Sequence, residues 1–91
     1  MKKFALICGA SGAIGEAICH NLAQEGWSLY LHYNAGSEKV HTLYKQLAEN
    51  FPEQEFIPIQ ADFSTETGAE QLASQIFSLQ AIVFANGHAY Y

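Results

Sequence analysis

The sequence predicts an α/β fold, a doubly wound parallel sheet with strands and helices in the order βαβαβαβ. Three observations predict it. Four apolar runs of strand length, Lys3–Ile7, Trp27–Tyr33, Glu55–Gln60 and Leu79–Ala85, are separated by stretches with helical periodicity. The first run is apolar at successive positions, as in a strand buried on both faces of a parallel sheet. It then breaks into glycines, Cys8-Gly9-Ala10-Ser11-Gly12-Ala13-Ile14-Gly15, before a helical pattern begins. Right-handed crossovers give the strand order 3-2-1-4, with the first two helices on one face and the third on the other.

Each element has its own signal. Ile14, Ala17, Ile18 and Leu22 recur at helical spacing, which predicts a helix from Ala13 to Glu25, with Gly26 as its C-cap glycine. In the second strand Leu29 and Leu31 share one face, and Tyr30 and His32 the other. His32 has no Cys, Asp or Glu neighbour in sequence and reads as a packing residue. Asn34-Ala35-Gly36-Ser37 is a turn in which Ser37 is the expected N-cap, with Glu38 suited to the first helical turn. Val40, Leu43, Tyr44, Leu47, Ala48 and Phe51 then fall on one helical stripe, with His41 and Lys45 on the solvated side, and Pro52 stops the helix. Pro58 lacks a ladder donor and predicts that the third strand is a sheet edge. Ala69, Leu72, Ala73, Ile76 and Phe77 mark the third helix.

Composition narrows the function. Ninety-one residues make one domain at most. A net charge of −5 with no arginine argues against a nucleic-acid surface. No apolar stretch is long enough to cross a membrane, and the N-terminal apolar run reads as a strand, not a leader. Cys8 and Cys19 lack metal-ligand spacing and read as reduced, buried thiols, as expected of a cytoplasmic protein. No metal site is expected.

The glycine segment carries the chemistry. Gly9 permits a tight turn, Gly12 lets the backbone approach a pyrophosphate, and Gly15 or Ala13 lets the helix lie close to the strand. The free amides of the first helical turn then face the anion. This strand–glycine–helix context points to a bound dinucleotide in a Rossmann-type sheet. An Asp or Glu at the end of the second strand would accept the ribose hydroxyls of NAD. Tyr33 and Asn34 stand there instead, so no carboxylate repels a 2′-phosphate. Ser37 offers a donor to such a phosphate and Lys39 a charge. This favours NADP over NAD.

The run from Cys8 to Gly15 resembles the Thr-Gly-x-x-x-Gly-x-Gly loop of the short-chain dehydrogenases/reductases, with Cys8 for Thr and Ala13 for the middle Gly. Gly9, Gly12 and Gly15 also satisfy the Gly-x-x-Gly-x-x-Gly spacing of the family's extended, nucleotide-sugar-modifying branch. The resemblance implies cofactor contacts from Gly9, Ser11, Gly12, Ala13, Ile14 and Gly15, and at the adenosine ribose from Tyr33, Asn34 and Ser37. Asp62-Phe63 resembles the family's adenine-holding pair, though an Asp opening a turn before a helix reads the same way. Ala85, Asn86 and Gly87 stand where the family has Asn-Asn-Ala-Gly beside the nicotinamide ribose.

The resemblance covers this chain but only the first part of a family member. The family's catalytic Ser and Tyr-x-x-x-Lys lie further along. Tyr30, Tyr33 and Tyr44 are followed four residues on by Asn34, Ser37 and Ala48, so no catalytic residue is assigned here. The chain is similar to 3-oxoacyl-(acyl-carrier-protein) reductases, which implies an NADPH-dependent carbonyl reduction. Leu-Tyr-Leu-His-Tyr-Asn and Gln-Ala-Asp-Phe-Ser also resemble a branch that reduces a ketone-bearing lysine modification on elongation factor P. The alternatives are an extended-branch, NAD-dependent nucleotide-sugar enzyme and a non-catalytic nucleotide-binding fragment. The uncharged run Ala81–Ala85, at the end of the sheet, predicts association, as a homo-oligomer in C₂ symmetry.

Overall fold

The computed structural model describes residues 3–62, 66–74, 76 and 79–84. Its elements are β1 (Lys3–Cys8), α1 (Ala13–Gln24), β2 (Trp27–Tyr33), α2 (Ser37–Asn50), β3 (Phe56–Gln60), α3 (Glu66–Ser74) and β4 (Ala81–Phe84). All pairings are parallel, in the order β3-β2-β1-β4. Pro58 therefore lies on an edge strand, opposite Leu31, where its missing N–H costs no internal ladder bond. Cys8 is level with both His32 and Phe84, so β1, β2 and β4 end together at one edge of the sheet. Ligands in open parallel sheets bind beyond this carboxyl edge.

Alternation of side chains along the strands divides the core into two layers. Ala5, Ile7, Leu29, Leu31 and Phe56 meet Cys19 and Ala23 of α1 and Val40, Leu43 and Leu47 of α2. Phe4, Leu6, Cys8, Tyr30, Ile59 and Ala61 meet Leu72 of α3 on the other side. The helices divide between the faces as the crossover rule requires. Full burial of Leu47 contributes about 1.5–3 kcal/mol, and the rest of the α2 stripe is buried or half-buried as its periodicity predicts.

Three local expectations are corrected. The buried stripe of α1 is Gly15, Cys19 and Ala23, not Ile14 and Ala17. Ile14 is 61% exposed. The cause is the approach of α1 to the end of β1: a Cβ on Gly15 would stand 2.3 Å from the Gly9 carbonyl oxygen and 2.9 Å from the Ala10 Cα. Only the smallest side chains fit that face, and the larger aliphatics turn outward or to its flanks. The second correction is at α2, whose N-cap is Gly36 in the left-handed conformation, with no side-chain cap bond, while Ser37 is the first helical residue. Gly26 does follow the end of α1 with φ +94°, and its N–H bonds to the Ala23 carbonyl. The third concerns α3 (Glu66–Ser74), where Ala73 is exposed, while Leu72 is buried and Ile76, beyond the helix, packs half-buried against the same layer as expected.

One side chain outside the elements ties this layer down. Gln54, in the turn before β3, donates from Nε2 to the carbonyls of Ala23 (3.0 Å) and Trp27 (2.7 Å), which holds the end of α1 to the start of β2. On β4, Ile82 is 53% exposed. Among the described residues no helix is long and apolar enough to cross a membrane.

The closeness of α1 to β1 predicts a contrast. Gly15→Ala should cost about 1–3 kcal/mol, because backbone must move to admit the methyl group. Ile14→Ala should change stability by less than about 0.5 kcal/mol. Thermal unfolding of the two variants measures the difference.

Candidate functional site

The carboxyl edge of the sheet brings together the segment after β1, the β2–α2 turn and the residues after β3. Gly9 leaves β1 with φ +83°, a conformation that residues with a Cβ rarely adopt. Gly12 then donates to the Gly9 carbonyl (3.3 Å), and its own carbonyl accepts the first α1 bond, from Glu16 N–H (2.9 Å). Gly12 is the N-cap and no side chain caps the helix, so no side chain meets the first-turn amides as a cap. Gly12 differs from its neighbours in one respect. Its φ is −83°, and a Cβ there would meet nothing closer than 3.8 Å. The fold tolerates a side chain at this position, so a need for glycine arises only from what lies outside it.

The β2–α2 turn locks onto this loop. Gly36, at φ +83°, comes so close to Ser11 that an added Cβ would lie 3.1 Å from the Ser11 Cβ. An open groove of about 420 Å³ runs between the two segments, lined by Ser11, Ala13, Glu16, Glu38, Lys39 and Thr42 with Leu43. Lys39 is its cation, against the carboxylates of Glu16 and Glu38. Asn34 and Ser37 are exposed beside the turn, and the Asn34 carbonyl accepts from Gln60 Nε2 (3.2 Å). Tyr33 is half-buried and packs against the α1–α2 core layer. Asp62 follows β3 and is held from behind by α3: a Cβ on Gly68 would collide with the Asp62 carbonyl. Gly68 drew no attention in the sequence, because a lone glycine in a helical stretch carries no signal of what lies next to it. Phe63, Ala85, Asn86 and Gly87 lie outside the described residues.

The larger correction is His32. The residue is buried, as expected of packing, but packing alone does not describe it. The ring is buried on the α3 side of β2, with both nitrogens engaged. Nε2 donates to the Ala61 carbonyl at 2.9 Å, and Nδ1 accepts the Gly9 N–H at 3.3 Å. A carbonyl can only accept and an amide N–H can only donate, so the pair of contacts selects the neutral Nε2–H tautomer. Sequence reading missed this because the partners are backbone groups on two other segments. Burial lowers the His32 pKa from its ordinary 6.5, partly opposed by the bond to Ala61.

Burial favours the protonated form of both thiols. Burial raises Cys8 to about 11, and burial followed by the charge of Glu16 raises Cys19 to about 12. Both are free and buried. Among the described residues no group of His, Cys, Asp and Glu could hold a metal ion.

An uncapped helix behind a glycine turn, at the carboxyl edge of a parallel sheet, is an anion-binding arrangement. The family model for short chain dehydrogenase matches residues 3–83. The chain belongs to the short-chain dehydrogenase family. It is 40% identical over 92 residues to the uncharacterized oxidoreductase YmfI of Bacillus subtilis, a match that takes in all of this chain and 38% of that protein. It is 47% identical over 64 residues to L-xylulose reductase of Aspergillus niger, covering 68% of this chain and 21% of that enzyme. The chain therefore spans well under half the length of these relatives. Its fold is also that of YwfH, an NADPH-dependent reductase involved in bacilysin biosynthesis, with a TM-score of 0.76 and 24% identity over 90% of this chain and 36% of that one.

The tautomer of His32 has a consequence for stability. The folded state disfavours the protonated ring, so its pKa lies below that of the unfolded chain. Above about pH 6.5 both states are neutral at this site and nothing is lost. As the pH falls below that value the unfolded chain takes up a proton first, and stability declines until the lower folded pKa is passed. Denaturant midpoints measured from about pH 8 to about pH 5 should show this decline, and it should be shallower in His32→Asn.

Proposed function

We propose that this chain is the dinucleotide-binding part of an oxidoreductase that uses NADPH to reduce a carbonyl group. The observation that carries the reading is the site's division of labour: Gly9 and Gly15 are required by the fold, whereas Gly12 has room for a Cβ, no closer than 3.8 Å to its neighbours, at an uncapped helix. Membership of an oxidoreductase family supports it, as do relatives named as an oxidoreductase and as L-xylulose reductase.

The residues have distinct tasks in this reading. Amides of Ala13, Ile14 and Gly15 bind the pyrophosphate, with the α1 dipole behind them, and Ser11 adds a hydroxyl. Gly12 admits the phosphates to the backbone. Asn34 and Ser37 flank the adenosine ribose, Tyr33 supports the turn, and Lys39 supplies charge toward a 2′-phosphate. Asp62 with Phe63 holds adenine, and the backbone of Ala85, Asn86 and Gly87 passes the nicotinamide ribose. The dinucleotide supplies hydride to the carbonyl carbon. The proton for the carbonyl oxygen comes from a Tyr-x-x-x-Lys pair, which these residues do not contain. A 3-oxoacyl thioester is the substrate that the family resemblance favours, and the cytoplasm the compartment that two reduced thiols favour.

NADPH is preferred to NADH because no carboxylate stands at Tyr33 or Asn34. Fluorescence titration should give at least tenfold tighter binding of NADPH, a difference of about 1.4 kcal/mol. Asn34→Asp should narrow or reverse that ratio. Tighter binding of NADH by the unaltered protein overturns the NADP assignment and favours the extended-branch reading.

A further inference from the structure

We infer that His32 is a positioning residue for the dinucleotide loop, acting through the Gly9 amide; this rests on the reading of that loop as a cofactor site. Gly9 is where the chain leaves β1 in a left-handed conformation, so the direction of its N–H sets the path of the whole turn. The Nδ1 atom that accepts this N–H belongs to a ring that cannot rotate freely. Its other nitrogen is tied to the Ala61 carbonyl, and its backbone carbonyl accepts the Ala10 N–H at 2.9 Å. Ring and backbone of one residue therefore hold two successive amides of the loop, Gly9 and Ala10.

The same ring spans the site. Ala61 ends the ladder beyond β3, with its N–H on the Tyr33 carbonyl at 3.0 Å, and Asp62 follows it. His32 thus links the pyrophosphate loop to the segment proposed to hold adenine. A purely apolar residue would fill the volume but leave the half-buried Gly9 N–H and the buried Ala61 carbonyl unpartnered by the ring, a costly outcome. Protonation has a sharper effect. It places a second N–H on Nδ1, directed at the Gly9 N–H, so donor meets donor and the contact is lost. Among the described residues, the titratable groups facing the ring's layer are Cys8 on β1, which burial pushes to about 11, Tyr30 on β2 and Asp62 after β3, while Glu70 on α3 is exposed.

Two near-isosteric variants separate positioning from simple filling. The Asn carboxamide overlays the Nδ1 side of an imidazole and offers an acceptor to Gly9. The Gln carboxamide reaches the Nε2 position and offers a donor to Ala61 but nothing to Gly9. The experiment measures NADP⁺ and NAD⁺ affinity and thermal stability for the intact protein, His32→Asn and His32→Gln. His32→Asn should bind within about threefold of the unaltered protein near pH 7.5, and His32→Gln roughly five- to tenfold more weakly, whichever variant is the more stable. As the pH falls from about 7.5 to about 5.5, affinity should fall more steeply in the unaltered protein than in His32→Asn. The comparison cancels titration of the ligand's own 2′-phosphate. Nitrogen NMR should show Nε2 protonated and Nδ1 unprotonated near pH 7.5. An Nδ1–H tautomer, or affinities that follow stability alone in both variants, overturns the proposal. Absence of binding of either dinucleotide by the unaltered protein overturns the cofactor reading and this proposal with it.

Discussion

Close approach of α1 to the end of β1 is the constraint on which the remaining structure depends. The Gly9 carbonyl and the Ala10 Cα occupy the space where a Gly15 side chain would be. This contact fixes where the first turn of α1 begins and aims its amides beyond the sheet edge. It also selects Cys19 and Ala23 for the same helix face one and two turns on, since no large side chain fits between helix and sheet there. Cys8 to His32 and Cys8 to Phe84 register then brings the ends of the other strands level with the loop. Site and core are products of one packing decision made at a residue with no side chain.

Fold class, strand order and the division of helices between faces were legible in the sequence because they follow from long-range rules acting on strong signals. Alternating apolar runs, an edge proline and right-handed crossovers leave one arrangement. The stripe of α2 was legible because six apolar positions repeat at one spacing. The stripe of α1 was misread because two patterns compete there, one aliphatic and one of small residues, and periodicity favours the aliphatic one. Burial went to the small residues because distance to the sheet decides the matter, and sequence does not carry that distance. Ser37 failed as an N-cap for a similar reason: a serine suits the position, but Gly36 takes it in a left-handed conformation pressed against Ser11.

The candidate site was legible as a loop and opaque as a network. Glycine spacing marks the loop, but the groups that hold it, the ring and the backbone carbonyl of His32, come from another strand. His32 engages Gly9 and Ala61 across 23 and 29 residues, respectively. Gly68 braces the Asp62 backbone from α3, and Gly36 braces Ser11 from the β2–α2 turn. At least one partner in each contact is backbone or a glycine, which a sequence does not reveal.

Gly12 is the position at which the proposed site asks for a glycine and the fold does not, and it offers the most direct measurement of the central claim. A methyl group there meets nothing closer than 3.8 Å in the folded chain, at a φ that alanine accepts. Gly12→Ala should therefore unfold at a temperature close to that of the unaltered protein. Its affinity for NADPH should fall at least tenfold, because the added carbon stands between the backbone and the pyrophosphate. An unchanged affinity in a fully folded Gly12→Ala protein would show that no dinucleotide approaches the loop at this point, and would contradict the account.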